Sequence, residues 1–350
     1  MSDYDEGPVA ALRRIAFLLE RGREDTYKVK AFRGAAATIL PMPEDDVARA
    51  VEEGTLTDLP GIGASSAKVI AAAVRGELPE RLAQLETQYA GPLTAGGATI
   101  RAALRGDCHS HSDWSDGGSP IEEMAMTAIE LGHDYLVLTD HSPRLKVARG
   151  LSAERLQRQL GVVDAVNEHL GGTGEGRDSG FRLLKGIEVD ILDDGSLDQS
   201  AEMLDRLEVR VASVHSKLKM DPAPMTRRMI GAIRNPHTNV LGHCTGRLVT
   251  GNRGTRAQSS FDARAVFEAC AEHDVAVEIN SRPERRDPPS ELLAMARDAG
   301  CLFSIDSDAH APGQLDFLVL GAERAEDAGI EPDRIINTWP RERLVEWARQ

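Results

Sequence analysis

The feature that most limits how this chain can fold is an alternation, after residue 104, of short apolar segments with amphipathic helical patterns. Such an alternation is typical of a parallel sheet in which helices connect successive strands. Seven repeats in one domain favour a closed barrel over an open sheet. The predicted strands are residues 104–110, 135–141, 183–191, 209–215, 239–244, 275–281 and 302–310. The predicted fold class of this part is therefore α/β.

Residues 8–88 differ, because their apolar positions recur at helical spacing throughout. Leu12, Ile15 and Leu19 follow one stripe, and Val47 and Val51 follow another. The stretch QYAGPLTAGGATI has the glycines, proline and threonines of a linker. We therefore expect a small all-α domain over residues 1–88, a linker over 89–103 and the barrel over 104–350.

The composition, with 41% hydrophobic and 28% charged residues, is that of a soluble globular protein. The 350 residues contain no run of 18 apolar residues, and the first residues, MSDYDEG, are acidic where a signal peptide is basic. We expect neither a membrane span nor secretion. The four cysteines form no CxxC pair, which favours a reduced, cytoplasmic protein.

The formal net charge of −15 argues against a protein that binds nucleic acid over its whole surface. Residues 13–33 depart from this acidic background, since they carry seven basic residues and three acids. A run of this kind is more often a solvated helix face than a binding site. Composition alone leaves both interpretations open.

Six of the ten histidines fall at the C-terminal ends of the predicted strands, and three acids occupy matching positions. They are His109, His111, His141, His215, His243 and His310, with Asp116, Glu188 and Asp308. In a β/α barrel these strand ends converge on one mouth, where such folds carry their chemistry. A single histidine at a strand end is more often a hydrogen-bonded spacer than a ligand. Nine buried polar groups in one place would be costly without a cation, so the joint pattern predicts a metal centre.

The ligand types narrow the choice of metal. Imidazole and carboxylate without thiolate suit Zn²⁺, Mn²⁺ or Fe²⁺. Nine ligands exceed the need of one ion, so we expect two or three ions, with Glu188 as a bridge. Clustered ions of this kind hydrolyse phosphate esters through an activated hydroxide. We expect Glu188, Asp308 and His310 to take part directly in that reaction.

The basic residues near the strand ends and the four remaining histidines are interpreted from their positions alone. Basic residues beside the strand ends are candidates for binding the phosphate of the substrate, although each alone is more often a solvated loop charge. They are Lys146, Arg149, Arg247, Arg253 and Arg282. The histidines in helical or loop contexts are interpreted as surface residues. They are His133, His169, His237 and His273.

The motifs around these residues resemble the PHP (polymerase and histidinol phosphatase) superfamily, in particular the PHP domain of bacterial family X DNA polymerases. The matching segments are GDCHSHSDWSDG, LTDHSPRLKVARGLS, LLKGIEVDIL, SVHSKL, LGHCTGR, EINSRPERRD and SIDSDAH. The resemblance implies a distorted, TIM-like (β/α)7 barrel with up to three ions. It also implies manganese- or zinc-dependent phosphoester hydrolysis, including 3′–5′ exonuclease activity. Carried over by motif, the ligands are the nine residues named above.

Residues 8–88 resemble the N-terminal helical domain of the same polymerases, and LPGIG followed by a helix is a helix-hairpin-helix signature. Its glycines, Gly61 and Gly63, let backbone N–H groups approach a DNA phosphate. On LPGIG alone, a tight turn that packs two helices is an equal interpretation. The neighbouring basic residues favour DNA, and we assign Lys28, Lys30 and Arg33 to the contact.

The sequence departs from these polymerases in two ways. The linker leads directly from the helical segment to the barrel and leaves no room for a nucleotidyl-transfer palm, so we expect no polymerase activity. Lyase-active relatives carry a lysine in the helix after the hairpin. Here the nearest is Lys68, one position off register, with Val69 in its place. We therefore do not predict Schiff-base lyase chemistry.

Three hypotheses follow. The first is a metal-dependent phosphoesterase that acts on DNA ends or gaps, as a 3′–5′ exonuclease or a 3′-end-cleaning enzyme in repair. The second keeps the barrel but takes a small phosphate monoester such as histidinol phosphate, which the acidic net charge favours. The third is a non-catalytic DNA-binding module whose metals are structural.

Overall fold

The computed structural model describes residues 4–171, 180–251 and 254–350. It divides into two compact units, Met1–Pro92 and Leu93–Gln350. The three-part division at residues 88 and 103 stays a prediction, and helix α6 (Ala98–Ala103) lies within the expected linker. No helix in the described ranges is long and apolar enough to span a membrane. The cytoplasmic location stays a prediction.

The first unit is all-helical, as predicted. Its helices are α1 (Gly7–Arg21), α2 (Thr26–Ile39), α3 (Glu44–Glu52), α4 (Ala64–Val74) and α5 (Glu80–Tyr89), with a 3₁₀ turn at Leu56–Asp58. Leu12, Ile15 and Leu19 are fully buried, because their three- and four-residue spacing places them on one face of α1. This face packs against α2, α4 and α5 and forms the core of the unit.

The second unit is a nearly closed barrel of seven parallel strands in sequential order, which confirms the predicted α/β barrel. The strands are β1 (Gly106–Ser110), β2 (Tyr135–Leu138), β3 (Arg182–Asp190), β4 (Val209–Ser213), β5 (Val240–Leu241), β6 (Ala276–Asn280) and β7 (Phe303–Asp306). Neighbouring strands pair from β1 through β7. Between β1 and the chain beyond β7 there is a single parallel bridge, Ser110–Ala309.

Helices connect the strands and cover the barrel. After α6 they are α7 (Ile121–Glu130), α8 (Ala153–Leu170), α9 (Ala201–Leu204), α10 (Pro222–Ile233), α11 (Ala263–Glu272), α12 (Ser290–Asp298), α13 (Leu318–Asp327) and α14 (Arg341–Ala348). The strands are buried on both faces, and for this reason β2, YLVL, reads as a continuous apolar run without alternation. All four cysteines are buried and free.

Several strands are shorter at their C-terminal ends than predicted. β2 ends at Leu138 instead of residue 141, and β7 ends at Asp306 instead of residue 310. One cause is the backbone of the loops: His243 and Asp308 have φ angles of +21° and +50°, which an extended strand does not allow. The polar residues at the mouth of the barrel therefore stand largely on the turns beyond the strands.

The interpretation of His133 as a surface residue is wrong, because its side chain is only 4% exposed. His133 lies in the four-residue connection from α7 to β2, two residues before a strand whose residues are all buried. His169 and His273 are exposed and His237 is partly exposed, as expected for loop and helix-surface positions.

Candidate metal centre

The nine predicted ligands lie together at the C-terminal mouth of the barrel. His109 belongs to β1 and Glu188 to β3, whereas the others follow strands or lie in the loop after β1. His109 and His111 are fully buried, and Glu188 is 1% exposed. Asp116 and His310 are the more open members, with side chains 28% and 20% exposed. The centre is therefore enclosed on most sides and open on the side of these two residues.

Three groups within this set place their ligand-capable atoms within 4.8 Å of one another. They are His111, Asp116, His141 and His310; His109, His111 and Glu188; and His141, Glu188 and His215. Glu188 belongs to two of the groups, so it lies where the sequence analysis expects a bridging carboxylate.

The remaining two predicted ligands are in contact with the same set. His243 Nε2 lies 2.8 Å from Glu188 Oε1. Asp308 Oδ1 lies 3.4 Å from His111 Nε2 and 3.9 Å from His109 Nε2. The structure therefore brings all nine residues to one place.

Several buried atoms in this centre have no hydrogen-bond partner within the described part of the chain. They include His109 Nε2, both ring nitrogens of His111, Glu188 Oε2, His215 Nε2 and His243 Nδ1. Buried polar atoms in proteins are normally paired, because leaving one unpaired costs about 1–3 kcal/mol. A concentration of unpaired imidazole and carboxylate atoms fits divalent cations, which take these atoms as ligands.

The electrostatics of the centre agree with this assignment. Burial raises the pKa of the Glu188 and Asp308 carboxyls, but neighbouring histidines, and Arg285 beside Asp308, outweigh burial and hold both pKa values well below the usual range. Burial, together with His310 and His141, lowers the pKa of His111 well below its usual value. The carboxylates are thus ionised and His111 is neutral, which are the states that bind a metal.

Without a bound cation, other histidines attract a proton instead. Burial lowers the pKa of His141, but Glu188 and Asp116 reverse the effect and raise it to about 10. The pKa of His109 is raised well above its usual value against the effect of burial, chiefly by Glu188, Glu278 and Asp308. The cluster therefore carries an excess of negative charge that a divalent cation can neutralise.

The loop that carries Asp116 is held in place by Asp140, a buried residue that the sequence analysis did not single out. The carboxylate of Asp140 accepts hydrogen bonds from Ser112 N at 2.9 Å and Ser112 Oγ at 2.5 Å. It also accepts from Ser115 Oγ and, at 2.5 Å, from Gln159 Nε2 on α8. These contacts fix the turn between His111 and Asp116.

Two further carboxylates hold histidine rings from behind. Glu278 Oε1 lies 2.5 Å from His109 Nδ1, and Asp190 Oδ1 contacts His215 Nδ1. The sequence signal for Glu278 is a charged residue inside the otherwise apolar run VAVEIN. Neither Glu278 nor Asn280 is among the predicted site residues, because a strand sequence does not show which partner lies opposite.

Comparison with known proteins decides the family. The PHP domain family matches residues 107–282, and a helix-hairpin-helix domain family matches residues 6–77. This chain belongs to the PHP family. It combines a PHP domain with a helix-hairpin-helix domain, as the sequence resemblance predicts.

Individual relatives of this PHP protein differ in length. It is 37% identical over 234 residues to the Bacillus subtilis DNA polymerase/3′-5′ exonuclease PolX, an alignment that covers 67% of this chain and 39% of that protein. It is 32% identical over 249 residues to the Escherichia coli protein named probable phosphatase YcdX, covering 68% of this chain and 91% of the relative. A solved histidinol phosphate phosphatase from Lactococcus lactis is 16% identical, with a TM-score of 0.44, over 65% of this chain and 95% of that one.

The basic side chains predicted to bind phosphate in the PHP domain differ in their contacts and exposure. Arg282 Nη1 donates to His310 Nδ1 at 2.9 Å, so its guanidinium lies against the predicted ligands. Arg149 donates to the carbonyl oxygens of residues 113 and 115, and Arg247 to those of residues 285 and 286, so both tie loops together. Lys146 is exposed. Arg253 lies outside the described residues.

Arg285 is a cation that the sequence analysis missed. Its Nε donates to Asp308 Oδ2 at 3.0 Å, and its side chain is 16% exposed. The loop EINSRPERRD contains several arginines, and the sequence alone does not indicate which of them turns toward the mouth. The structure places Arg282 and Arg285 there.

The helix-hairpin-helix turn has the backbone that its glycines predict. Gly61 has a φ of +79°, and Gly63 precedes the first residue of α4, Ala64. The side chain of Ser66 accepts a hydrogen bond from the N–H of Gly63 at 3.1 Å. Both glycines are exposed, so this turn is open to a ligand.

The basic segment beside this turn is partly neutralised within its own unit. Lys28 pairs with Glu24 at 2.7 Å, and Arg33 pairs with the buried Glu20 at 2.8 Å. Lys30 is exposed and has no ion pair within the described ranges. Lys28, Lys30 and Arg33 stay predicted DNA contacts, and Lys30 is the one whose charge is not offset by a neighbouring acid.

Proposed function

We propose that this protein is a metal-dependent phosphoesterase that hydrolyses DNA at 3′ ends, as a 3′–5′ exonuclease or a 3′-end-cleaning enzyme. The observation that carries the proposal is the buried set of unpaired imidazole and carboxylate atoms, in a chain that also has a helix-hairpin-helix domain. The similarity to a protein named for polymerase and 3′–5′ exonuclease activity supports the choice of DNA. The alignment covers only 39% of that longer protein, so its activities are proposed for this chain and not inferred from the similarity alone.

The nine residues named above are the proposed ligands of two or three Zn²⁺, Mn²⁺ or Fe²⁺ ions. Bound divalent ions supply Lewis-acid stabilisation of phosphoryl charge and a water acidic enough to attack phosphorus near neutral pH. Glu188 and Asp308 supply negative charge from the buried side of the centre. Their low pKa values keep both carboxylates ionised over the physiological range.

The open side of the centre determines how a substrate enters. Asp116 and His310 lie there, and Arg282 donates to His310 Nδ1. A phosphate that reaches His310 meets the guanidinium of Arg282, and Arg285 lies next to Asp308. We propose that these two arginines hold the non-bridging oxygens of the substrate and orient it for attack. Lys146, Arg149 and Arg247 stay candidates for more distant phosphates.

Polymerase activity is not part of the proposal. Residues 90–105 are all described, and they contain one six-residue helix and no strand. A catalytic palm with paired aspartates needs a sheet, and this segment has none.

The test is a gel time course with manganese-loaded protein on a 5′-labelled primer–template and on the same primer with a 3′-phosphate. An exonuclease gives a ladder of shortened primers, whereas an end-cleaning enzyme removes only the terminal phosphate. Both products should vanish in Asp308→Asn and persist in Asp298→Asn, an exposed aspartate of the same domain. DNA binding without turnover under any metal would instead support a non-catalytic module.

A small phosphate monoester is the second candidate substrate. The alignment with YcdX covers 91% of that phosphatase, and the net charge of −15 does not favour DNA. Histidinol phosphate is the probe for this alternative. Fast release of phosphate from it, with no DNA product and negligible DNA affinity at low salt, would replace the DNA proposal.

A further inference from the structure

Glu278 is a fully buried carboxylate in β6, below the proposed metal centre. Within the described residues it has three polar contacts, and each comes from a different part of the barrel. Oε1 lies 2.5 Å from His109 Nδ1 on β1, and Oε2 accepts from the backbone N–H of His243 at 2.5 Å. Oε2 also accepts from Asn280 Nδ2, at 3.2 Å.

These partners determine where the proton of His109 resides. The backbone N–H of His243 can only donate, and an ionised carboxylate can only accept. His109 therefore donates from Nδ1, so the proton that a cation displaces from this ring is the one on Nε2. Nε2 has no hydrogen-bond partner in the described structure, and it lies 3.3 Å from Glu188 Oε2. It thus faces the centre and can bind a metal that displaces its proton.

We propose that Glu278 is a positioning residue that holds His109 in the tautomer and orientation that present Nε2 to the metal; this inference rests on the proposed metal centre. A carboxylate behind a metal-binding imidazole fixes its ring and raises its basicity. Asp190 contacts His215 Nδ1 in the same way, while His215 Nε2 lies 3.1 Å from Glu188 Oε1. The arrangement is thus repeated on the other side of Glu188.

Glu278 also links two ligands that are far apart in the chain. The same carboxylate binds His109 through its ring and His243 through its backbone. Asn280 Nδ2, which donates to Glu278, also donates to Asp308 Oδ2 at 3.1 Å. Glu278 and Asn280 therefore set the relative positions of three proposed ligands without entering the centre themselves.

Glu278→Gln tests the proposal because a glutamine offers one acceptor and one donor group where glutamate offers two acceptors. The backbone N–H of His243 keeps its hydrogen, so the amide oxygen turns toward it. The amide NH₂ then faces His109 Nδ1, which must become an acceptor. The proton moves to Nε2, and His109 loses the lone pair that would bind the metal.

The first measurement is a competitive Zn²⁺ titration of full-length wild type, Glu278→Gln and Asp287→Asn. Asp287 is an equally buried carboxylate that accepts from Thr245 and contacts no histidine ring in the described structure, so it controls for loss of buried charge. We expect zinc affinity to fall about 10- to 100-fold in Glu278→Gln and to stay unchanged in Asp287→Asn.

The outcomes distinguish failure of the proposed metal centre from failure of the proposed role of Glu278. A wild-type protein that binds no zinc would overturn the metal centre itself. A wild-type protein that binds zinc, together with a Glu278→Gln protein that binds it equally well, would overturn the positioning role and leave the centre intact. Equal weakening in Asp287→Asn would show a general effect of buried charge and would also overturn it.

The second measurement uses the wild-type protein, so it does not depend on whether Glu278→Gln folds. Long-range ¹H–¹⁵N spectra of zinc-loaded wild type with ¹⁵N-labelled histidine report which ring nitrogen carries the proton, and His109→Gln assigns the signal. We expect His109 to be protonated at Nδ1 with Nε2 bound to zinc. Protonation at Nε2, or zinc on Nδ1, would refute the proposal.

Discussion

Oε1 of Glu188 lies 2.8 Å from Nε2 of His243, and this contact joins β3 to the turn after β5 at the middle of the barrel mouth. Because Glu188 also belongs to two of the three ligand groups, its removal should affect more than one ion. We expect Glu188→Gln to lower kcat at least about 100-fold, since even residues behind the ligands cost 10- to 100-fold. Glu202→Gln, at an exposed position on α9, should keep wild-type kcat in the same assay.

Removal of metal should also destabilise the protein. A ligand present at 1,000 times its Kd stabilises the folded state by about 4 kcal/mol. We expect a chelator to lower the Tm of the barrel and restored Mn²⁺ or Zn²⁺ to recover it, as measured by calorimetry. Glu188→Gln should show a much smaller chelator-dependent shift. A Tm that is independent of chelator in wild type would contradict the proposed centre.

Lys30 should contribute to DNA binding more than its neighbours. Lys28 and Arg33 are paired with acids, whereas Lys30 is exposed without such a pair in the described ranges. We expect Lys30→Ala to reduce the slope of log K against log salt by roughly 0.9, the value for one lost phosphate contact. Arg49→Ala on α3 is the control, since Arg49 already pairs with Asp46. An unchanged slope would remove Lys30 from the proposed contact.

Arg282 should act on substrate binding. Its guanidinium lies against His310 on the open side of the centre. We expect Arg282→Met to raise KM for the phosphate ester about 10- to 100-fold, the effect of losing a hydrogen bond to a charged group. Arg297→Met, an exposed arginine paired with Asp298, should leave KM unchanged. If KM is equal in both variants, the phosphate is held elsewhere.

His133 should make stability depend on pH, and it precedes β2, whereas the proposed ligand His141 follows that strand. Burial, with a smaller effect of Arg101, lowers its pKa from 6.5 to about 3. Between these values the unfolded chain binds the proton and the folded chain does not, so stability falls as pH drops from 6.5 toward 3. The slope from one such group reaches about 1.4 kcal/mol per pH unit.

Replacement by a residue that does not titrate isolates this contribution. His133→Phe should show a shallower loss of unfolding free energy over the same pH range, measured by denaturant titration at each pH. Parallel curves for wild type and variant would mean that His133 is not the group responsible. His273→Phe, at an exposed position, is the matched control.

The fold could be predicted because each strand is a short run buried on both faces. A continuous apolar run such as YLVL predicts a strand that is buried on both faces, and the amphipathic patterns between such runs predict the helices. The C-terminal limits of the strands were predicted less well. At His243 and Asp308 the backbone adopts positive φ angles, which cannot be predicted from the sequence because neither residue is a glycine.

The residues behind the centre escaped prediction for a different reason. Glu278 contacts His109, which lies 169 residues earlier in the sequence. In the helical unit, Arg33 likewise pairs with Glu20, which lies 13 residues earlier. A periodic pattern predicts which face of an element is buried but not which polar group lies opposite. His133 shows the same limit, because its side chain is buried although its place in the short connection between α7 and β2 predicts a surface residue.

The single bridge between Ser110 and Ala309 has a consequence for how the protein matures. The first strand and the chain beyond the last strand meet there, and His111 Nε2 lies 3.4 Å from Asp308 Oδ1 beside the bridge. A nascent chain carries most of the histidines long before it carries Asp308 and His310. The proposed ligand set is therefore complete only when synthesis has passed residue 310, whereas His109, near its beginning, is made about 200 residues earlier.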